Sequence, residues 1–291
     1  MALRKPHIWL FAALLIYFLF FFHLTATGML GPDEPRYAAI GREMARSGDW
    51  ITPRLWGEPW FEKPALLYWM TGIGFRLGLN DDAAPRLPVA IVSVTFLVLF
   101  FLLLRRQFGE RPAWMATAIL GTSAGWIGLS HAGVVDIPLA ASFSLAVLLA
   151  RPWTQKGDRS PLPYAAACLG LAVLAKGGVG LVLILPVLWA GRKHWRDLFR
   201  PSVWGPFLAV GAPWYVLCFL KNGKPFISTF FWQHQVDRFV SNSLQHEQKF
   251  WFYVPVLLAG IFPWTPLVAL IFRPNVRKGR LLSEGQAAEG P

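Results

Sequence analysis

Charge is scarce in this 291-residue sequence: only 15% of its residues are Asp, Glu, Lys or Arg. A soluble domain carries about 25%, so an ordinary water-soluble fold is excluded. Acids are rarer than bases, 16 against 28. Cysteine is almost missing. Cys168 and Cys218 both lie inside apolar runs, which excludes a disulfide framework and a cysteine-based zinc site. No strict alternation of apolar and polar residues runs through the chain, so a transmembrane barrel is excluded as well. There is no internal repeat of fixed period, no Walker A spacing, no zinc-protease motif and no Ser-His-Asp arrangement.

Hydrophobic residues make up 55% of the sequence, with 15 Trp and 23 Phe, and they come in long runs. The fold class expected is an all-α polytopic membrane protein. Eight runs approach the roughly 20 apolar residues that a span needs: Ile8–Leu24, Leu87–Leu104, Pro112–Leu129, Val134–Ala150, Leu162–Ala175, Gly177–Ala190, Val203–Leu220 and Phe250–Phe272. The first, behind Arg4 and Lys5, exceeds a signal-peptide core and is read as an uncleaved span. The fifth and sixth are short; they form a tight pair meeting at Lys176, or one of them is re-entrant. Residues 1–272 thus form one transmembrane domain, and residues 273–291 a basic, then Gly/Glu/Ala-rich, disordered cytoplasmic tail.

With the N-terminus inside, the inner segments hold sixteen cations against five acids, and the outer ones twelve cations against eleven acids. The positive-inside rule therefore puts both termini in the cytoplasm. The net charge of +12 is then cytoplasmic-loop charge, not a nucleic-acid surface. Asp33, Glu34, Glu62, Lys63, Asp136, Lys176 and His234 all fall on the outer side, although none of them entered the assignment of spans.

The outer loop Met29–Pro85 has structure of its own. Asp33 or Glu34 caps a helix with Pro35 in its first turn. Tyr37, Ile40 and Met44 share one face of that helix, and Ser47-Gly48 ends it. An extended link, Asp49–Arg54, follows. Glu62-Lys63-Pro64 then opens a second helix that stops at Gly78. The two helices are expected to lie flat at the interface and frame a cleft, with Trp50, Trp56, Trp60 and Trp69 in the aromatic belt. A second outer segment, Lys221–Lys249, is the other candidate wall.

Each cluster of charge has a bland reading beside a chemical one. Asp33 and Glu34 are a helix cap, or a base at membrane depth. Glu62-Lys63-Pro64 is a surface pair, or a phosphate-binding lysine at a helix start. Asp136 is a cap, or a further acid aimed at the same cleft. Lys176 is the only charge between Arg159 and Arg192, and beside Gly177-Gly178 it suits a lipid phosphate. His234 is an interfacial histidine, or a metal ligand with Glu62 supplying an oxygen. Arg238 suits bidentate binding of phosphate.

In order along the chain, these pieces resemble the bacterial lipid-linked glycosyltransferases of the aminoarabinose (lipid A) transferase and protein O-mannosyltransferase group, which have the membrane GT-C fold. The motifs that carry the resemblance are Asp33-Glu34-Pro35-Arg36-Tyr37-Ala38, Ser47-Gly48-Asp49-Trp50, Phe61-Glu62-Lys63-Pro64, Asp136-Ile137-Pro138-Leu139, Leu174-Ala175-Lys176-Gly177, Phe230-Phe231-Trp232 with Arg238-Phe239, and Phe250-Trp251-Phe252-Tyr253 with Phe262-Pro263-Trp264.

The resemblance implies an inverting transferase of the bacterial inner membrane with its active site facing the periplasm. It would take a sugar from a polyprenyl (undecaprenyl) phosphate donor and pass it to a lipid A, glycan or protein acceptor. Asp33 looks like the catalytic base, supported by Glu34. Lys63 and Arg238 look like binders of the lipid phosphate, and Arg36, Tyr37, Asp136 and Lys176 join the substrate-binding set. In some relatives a divalent metal takes a residue at the place of Glu62 and a histidine near Phe230–Phe239; here His234 stands between Gln233 and Gln235. Members of the group are usually longer, with further spans and an extracytoplasmic domain. This chain is therefore expected to be truncated: a paralogue that is non-catalytic or partner-dependent, or a fragment. A flippase or transporter of lipid-linked sugars is the rival from another class. Transporters favour midplane charge and repeats, and this sequence shows neither.

Overall fold

A computed structural model describes residues 6–230 and 250–271. They are almost wholly helical. The elements run α1 (Pro6–Phe20), α2 (Asp33–Ser47), β1 (Arg54–Leu55), β2 (Glu58–Pro59), α3 (Leu66–Arg76), α4 (Ala83–Phe108), α5 (Glu110–Gly121), α6 (Ala124–Ser130), α7 (Asp136–Lys156), α8 (Leu162–Lys176), α9 (Val179–Leu183), α10 (Leu185–Ala190), a 3-10 segment (Arg192–Phe199), α11 (Pro201–Gly211), α12 (Pro213–Asn222) and α13 (Lys224–Ile227). Phe250–Phe252, Tyr253–Ile261 and Thr265–Ile271 follow.

The eight apolar runs do not become eight unbroken spans. Among the described residues, α4 and α7 are single helices long and apolar enough to cross a membrane. The pair α11 and α12 crosses only as a helix bent by 51°. Proline explains the bend, because Pro213 has no N–H to give to the preceding turn. The third run divides at Thr122-Ser123 into α5 and α6, the sixth at Ile184 before Leu185-Pro186, and the eighth at Phe262-Pro263-Trp264. Hydropathy counts apolar residues and is blind to these interruptions.

The bundle is built on α4, α7, α8 and α11, packed in succession. Glycine sets the crossing of α8 and α11. A Cβ on Gly170 of α8 would come within 2.7 Å of the Phe207 carbonyl oxygen of α11, and one on Gly211 within 3.1 Å of the Gly170 Cα. Small residues let membrane helices approach backbone to backbone in this way.

The segment between α1 and α4 folds onto one end of this bundle. Tyr37, Ile40 and Met44 of α2 are buried in a cluster with Leu67 and Tyr68 of α3 and Phe96 of α4. Gly48, at φ +74°, ends α2 by the left-handed turn that favours glycine. The expected extended link is present. After it comes a two-residue hairpin, β1 with β2, and the second helix begins at Leu66, not at Glu62. The link is pinned to α12. Lys221 Nζ lies 2.8 Å from Asp49 Oδ1, Trp214 Nε1 donates to the Ile51 carbonyl at 2.9 Å, and Asn222 Nδ2 donates to Thr52 Oγ1 at 3.0 Å. The ends of α12 and α2 therefore lie on one face of the molecule.

Candidate functional site

Two adjacent acids meet opposite environments. The Asp33 side chain is 51% exposed, while that of Glu34 is 0% exposed. Neither caps α2. Pro32 is the N-cap residue and no side-chain cap bond forms, so both acids belong to the first helical turn. Negative charge is still favoured there by the unpaired N–H groups of the helix start.

Asp33 faces a rim of alternating charge. Arg36 Nη1 lies 3.3 Å from Asp33 Oδ1 and 2.9 Å from Glu62 Oε2. Lys63 Nζ lies 3.3 Å from Glu62 Oε1, and Trp60 Nε1 donates to Glu62 Oε2 at 3.3 Å. The Arg36 guanidinium stands over the Trp60 ring, 5.6 Å from its centroid. Arg36 thus joins the start of α2 to the stretch before α3. Glu62 and Lys63 are both buried.

A second pair stands beside this rim. Lys176 Nζ lies 2.7 Å from Asp136 Oδ1. Asp136 is the first residue of α7 behind Val135, and it too makes no cap bond. Lys176 is the last residue of α8, where Gly177 at φ +75° turns the chain away. The buried Tyr37 connects the two groups of charge. Burial raises the pKa of its phenol well above the ordinary tyrosine value, and the negative charges of Asp33, Glu62 and Asp136 raise it further. The phenol therefore stays protonated. A cavity of about 240 Å³ opens toward the bundle beneath these residues, between α3, α4, α7 and α8. Leu66, Met70, Ile91, Pro138 and Leu171 are among its almost wholly apolar lining. A larger cavity of about 330 Å³, lined by Trp153, Leu162 and Phe207 among others, carries no charged side chain and is remote from this chemistry.

Arg86 is the residue that sequence reasoning missed. Buried at 0% exposure, it meets Glu34 through two parallel bonds, Nε to Oε1 at 2.7 Å and Nη2 to Oε2 at 2.8 Å. Its remaining hydrogens go to the carbonyls of Leu24 (3.0 Å), Thr27 (2.7 Å) and Gly28 (2.8 Å). Glu34 in turn accepts from the Leu30 N–H at 2.6 Å and the Gly133 N–H at 2.7 Å. Burial alone would push the Glu34 carboxyl up; the Arg86 bonds and the two amides outweigh it and hold it below the usual carboxylate range. One ion pair therefore ties the chain after α1, the start of α2, the start of α4 and the turn before α7. The available signal was an arginine at the very edge of the second apolar run.

His234, Asp237 and Arg238 lie outside the described residues, as do most of the second wall and the tail. Among the described residues no three His, Cys, Asp or Glu side chains converge as a metal set. The oxygens of Glu62 are engaged with Arg36, Trp60 and Lys63, so the described donors do not fit a metal.

The arrangement offers a half-exposed carboxylate, three cations beside it and an apolar slot underneath. The family model described as dolichyl-phosphate-mannose-protein mannosyltransferase matches residues 62–219. The undecaprenyl phosphate-alpha-4-amino-4-deoxy-L-arabinose arabinosyl transferase of Edwardsiella ictaluri is 31% identical over 97% of this chain and 53% of its own length. The corresponding transferase 2 of Sodalis glossinidius is 33% identical over 91% of this chain and 49% of its own. The crystal structure of ArnT from Cupriavidus metallidurans bound to undecaprenyl phosphate superposes with a TM-score of 0.81 at 29% identity, covering 91% of this chain and 50% of that one. The chain spans about half the length of the relatives it matches.

Proposed function

The chain belongs to the dolichyl-phosphate-mannose-protein mannosyltransferase family, and from that membership we propose that it carries the catalytic half of a glycosyltransferase that moves a sugar from a polyprenyl phosphate to lipid A at the periplasmic face of the inner membrane. It is a helical membrane protein of the GT-C type. The convergence of Asp33, Arg36, Glu62 and Lys63 with Asp136 and Lys176 around Tyr37, above an apolar slot, is the observation that carries the proposal.

The chemistry asks for positioning and electrostatics. The acceptor oxygen attacks the anomeric carbon of the donor, and the bond from that carbon to the phosphate oxygen breaks. Asp33 takes the acceptor proton. Polyprenyl phosphate leaves with the bonding electron pair, and Lys63 and Lys176 stabilise its charge. The apolar slot takes isoprene units next to the phosphate. A sugar on the relatives' pattern is 4-amino-4-deoxyarabinose.

The test is transfer by the purified chain from undecaprenyl phosphate aminoarabinose to lipid A, read as the product mass. No transfer by this chain, alone or with the segments that complete its relatives, overturns the proposal. Lys176→Met should raise the KM for the donor by about tenfold or more while kcat falls less, since a hydrogen bond to a charged group contributes about 1.5–3 kcal/mol. An unchanged KM removes Lys176 from the donor site. Orientation has a separate test. A cysteine at exposed Glu58, in the hairpin, should react with a membrane-impermeant maleimide in intact spheroplasts; labelling only after lysis puts the site on the other face.

A further inference from the structure

At the other end of α4 and α7 lies a second polar pocket, of about 270 Å³. Arg106, Arg151 and Lys156 line it with Gln107 and Gln155, and Asp158 is the one acid. Arg106 stands 20 residues along α4 from Arg86, and Lys156 20 residues along α7 from Asp136, about 30 Å at 1.5 Å per residue. That is one hydrocarbon thickness, so the two charged ends lie at opposite faces of the membrane.

The pocket is organised beyond what loop charge requires. Arg105 and Arg106 both close α4, yet only Arg105 packs over the Phe101 ring, 5.6 Å from its centroid, while Arg106 lines the pocket. The Arg151 guanidinium stacks on Phe108 at 4.2 Å and reaches Gln107 Oε1 at 3.4 Å. Gln107 is itself fixed by donating to the Leu148 carbonyl at 2.9 Å. Arg151 is thus held in place from both sides. Asp158 is engaged locally, accepting from the Ser160 hydroxyl at 2.7 Å. On the membrane side the lining turns apolar, at Leu103 and Leu149. Three cations over an apolar lip match a phosphodiester that carries acyl chains, and basic pockets between membrane helices bind such head groups.

We propose that this pocket binds the phosphate of an anionic phospholipid from the leaflet opposite the candidate active site. The lipid bridges the ends of α4 and α7 and fixes the spacing of the two longest helices of the bundle. The proposal is independent of the transfer reaction.

The test is native mass spectrometry of the full chain in detergent, titrated with phosphatidylglycerol, with phosphatidylcholine and with inorganic phosphate. One phosphatidylglycerol should be retained. The variant R106Q/K156Q, altered at two exposed residues, should bind it at least tenfold more weakly. R106K/K156R should retain it, which separates loss of charge from a disturbed fold. The control R111Q/K193Q removes the same charge outside the pocket and should bind as the unsubstituted chain does. Equal weakening in the control overturns the proposal in favour of diffuse surface charge. Equal retention of phosphatidylcholine overturns the demand for an anionic head group. Displacement of the lipid by millimolar inorganic phosphate overturns the lipid as occupant.

Discussion

Asp33→Asn lowers kcat for sugar transfer by about two to four powers of ten, the usual contribution of a positioned general base, with little change in the KM for the polyprenyl donor. Asparagine keeps the shape and the helix position of the side chain but cannot accept the proton of the attacking acceptor. Four acids crowd the site, and geometry separates them. Glu34 has its oxygens filled by Arg86 and two backbone amides. Glu62 is buried between Arg36, Lys63 and Trp60, and Asp136 is paired with Lys176 at 2.7 Å. Asp33 alone of the four combines a half-exposed carboxylate with a single long ion pair, 3.3 Å to Arg36. It is the one an acceptor reaches without breaking a buried contact. Single-turnover transfer from labelled donor by the variant and the unsubstituted chain measures the effect. Residual activity within threefold removes Asp33 from the base role. In that event Asp136→Asn becomes the informative substitution, because Asp136 is the next most exposed acid, at 44%.

The face on which this chemistry collects was legible in the sequence. Asp33, Glu62 and Lys63 fall in the loop between the first two apolar runs, and Asp136 and Lys176 at or near run ends; loop charge puts all five on one side. The structure draws all five to one end of α4, α7 and α8. Which charge pairs with which was not legible. Asp136 and Lys176 stand forty residues apart, and their meeting depends on how α7 packs on α8. The difference between Asp33 and Glu34 was equally hidden. One step along a helix turns a side chain by about 100°, enough to carry it from the rim into the protein, and only the position of Arg86 says which of the two turns inward. Arg86 is hidden in the sequence because it stands just outside the apolar run that begins at Leu87, among ordinary loop charges. The breaks at Thr122-Ser123, Ile184 and Ala212 escaped for a related reason: proline and small polar residues interrupt a helix without lowering the hydropathy of the window around them.

Arg86→Leu is the substitution with the largest effect on stability. Removing one partner of a buried ion pair typically costs about 3–5 kcal/mol, because the other charge is left without compensation. Here the loss also strips the carbonyls of Leu24, Thr27 and Gly28 of their donor. For a chain of this size the apparent melting temperature in detergent should fall by roughly 10 °C. Arg86→Leu/Glu34→Leu should recover part of that fall, since it removes the stranded carboxylate, while the three carbonyls stay unsatisfied. The pH dependence gives a sharper test than the magnitude. In the unsubstituted chain the folded Glu34 titrates below its unfolded value, which is about 4.3. Its contribution is therefore present above that value and is lost as the pH falls through the depressed folded one. Without Arg86, burial, which raises the carboxyl's pKa, is opposed only by the Leu30 and Gly133 amides. Protonation then relieves the buried charge, so Arg86→Leu should gain stability relative to the unsubstituted chain as the pH is lowered from 7 toward 5. Two melting curves that run parallel over that interval would mean that the Glu34 charge is neutralised by something other than Arg86. The four-way junction among the chain after α1, α2, α4 and the turn before α7 would then rest on backbone hydrogen bonds alone.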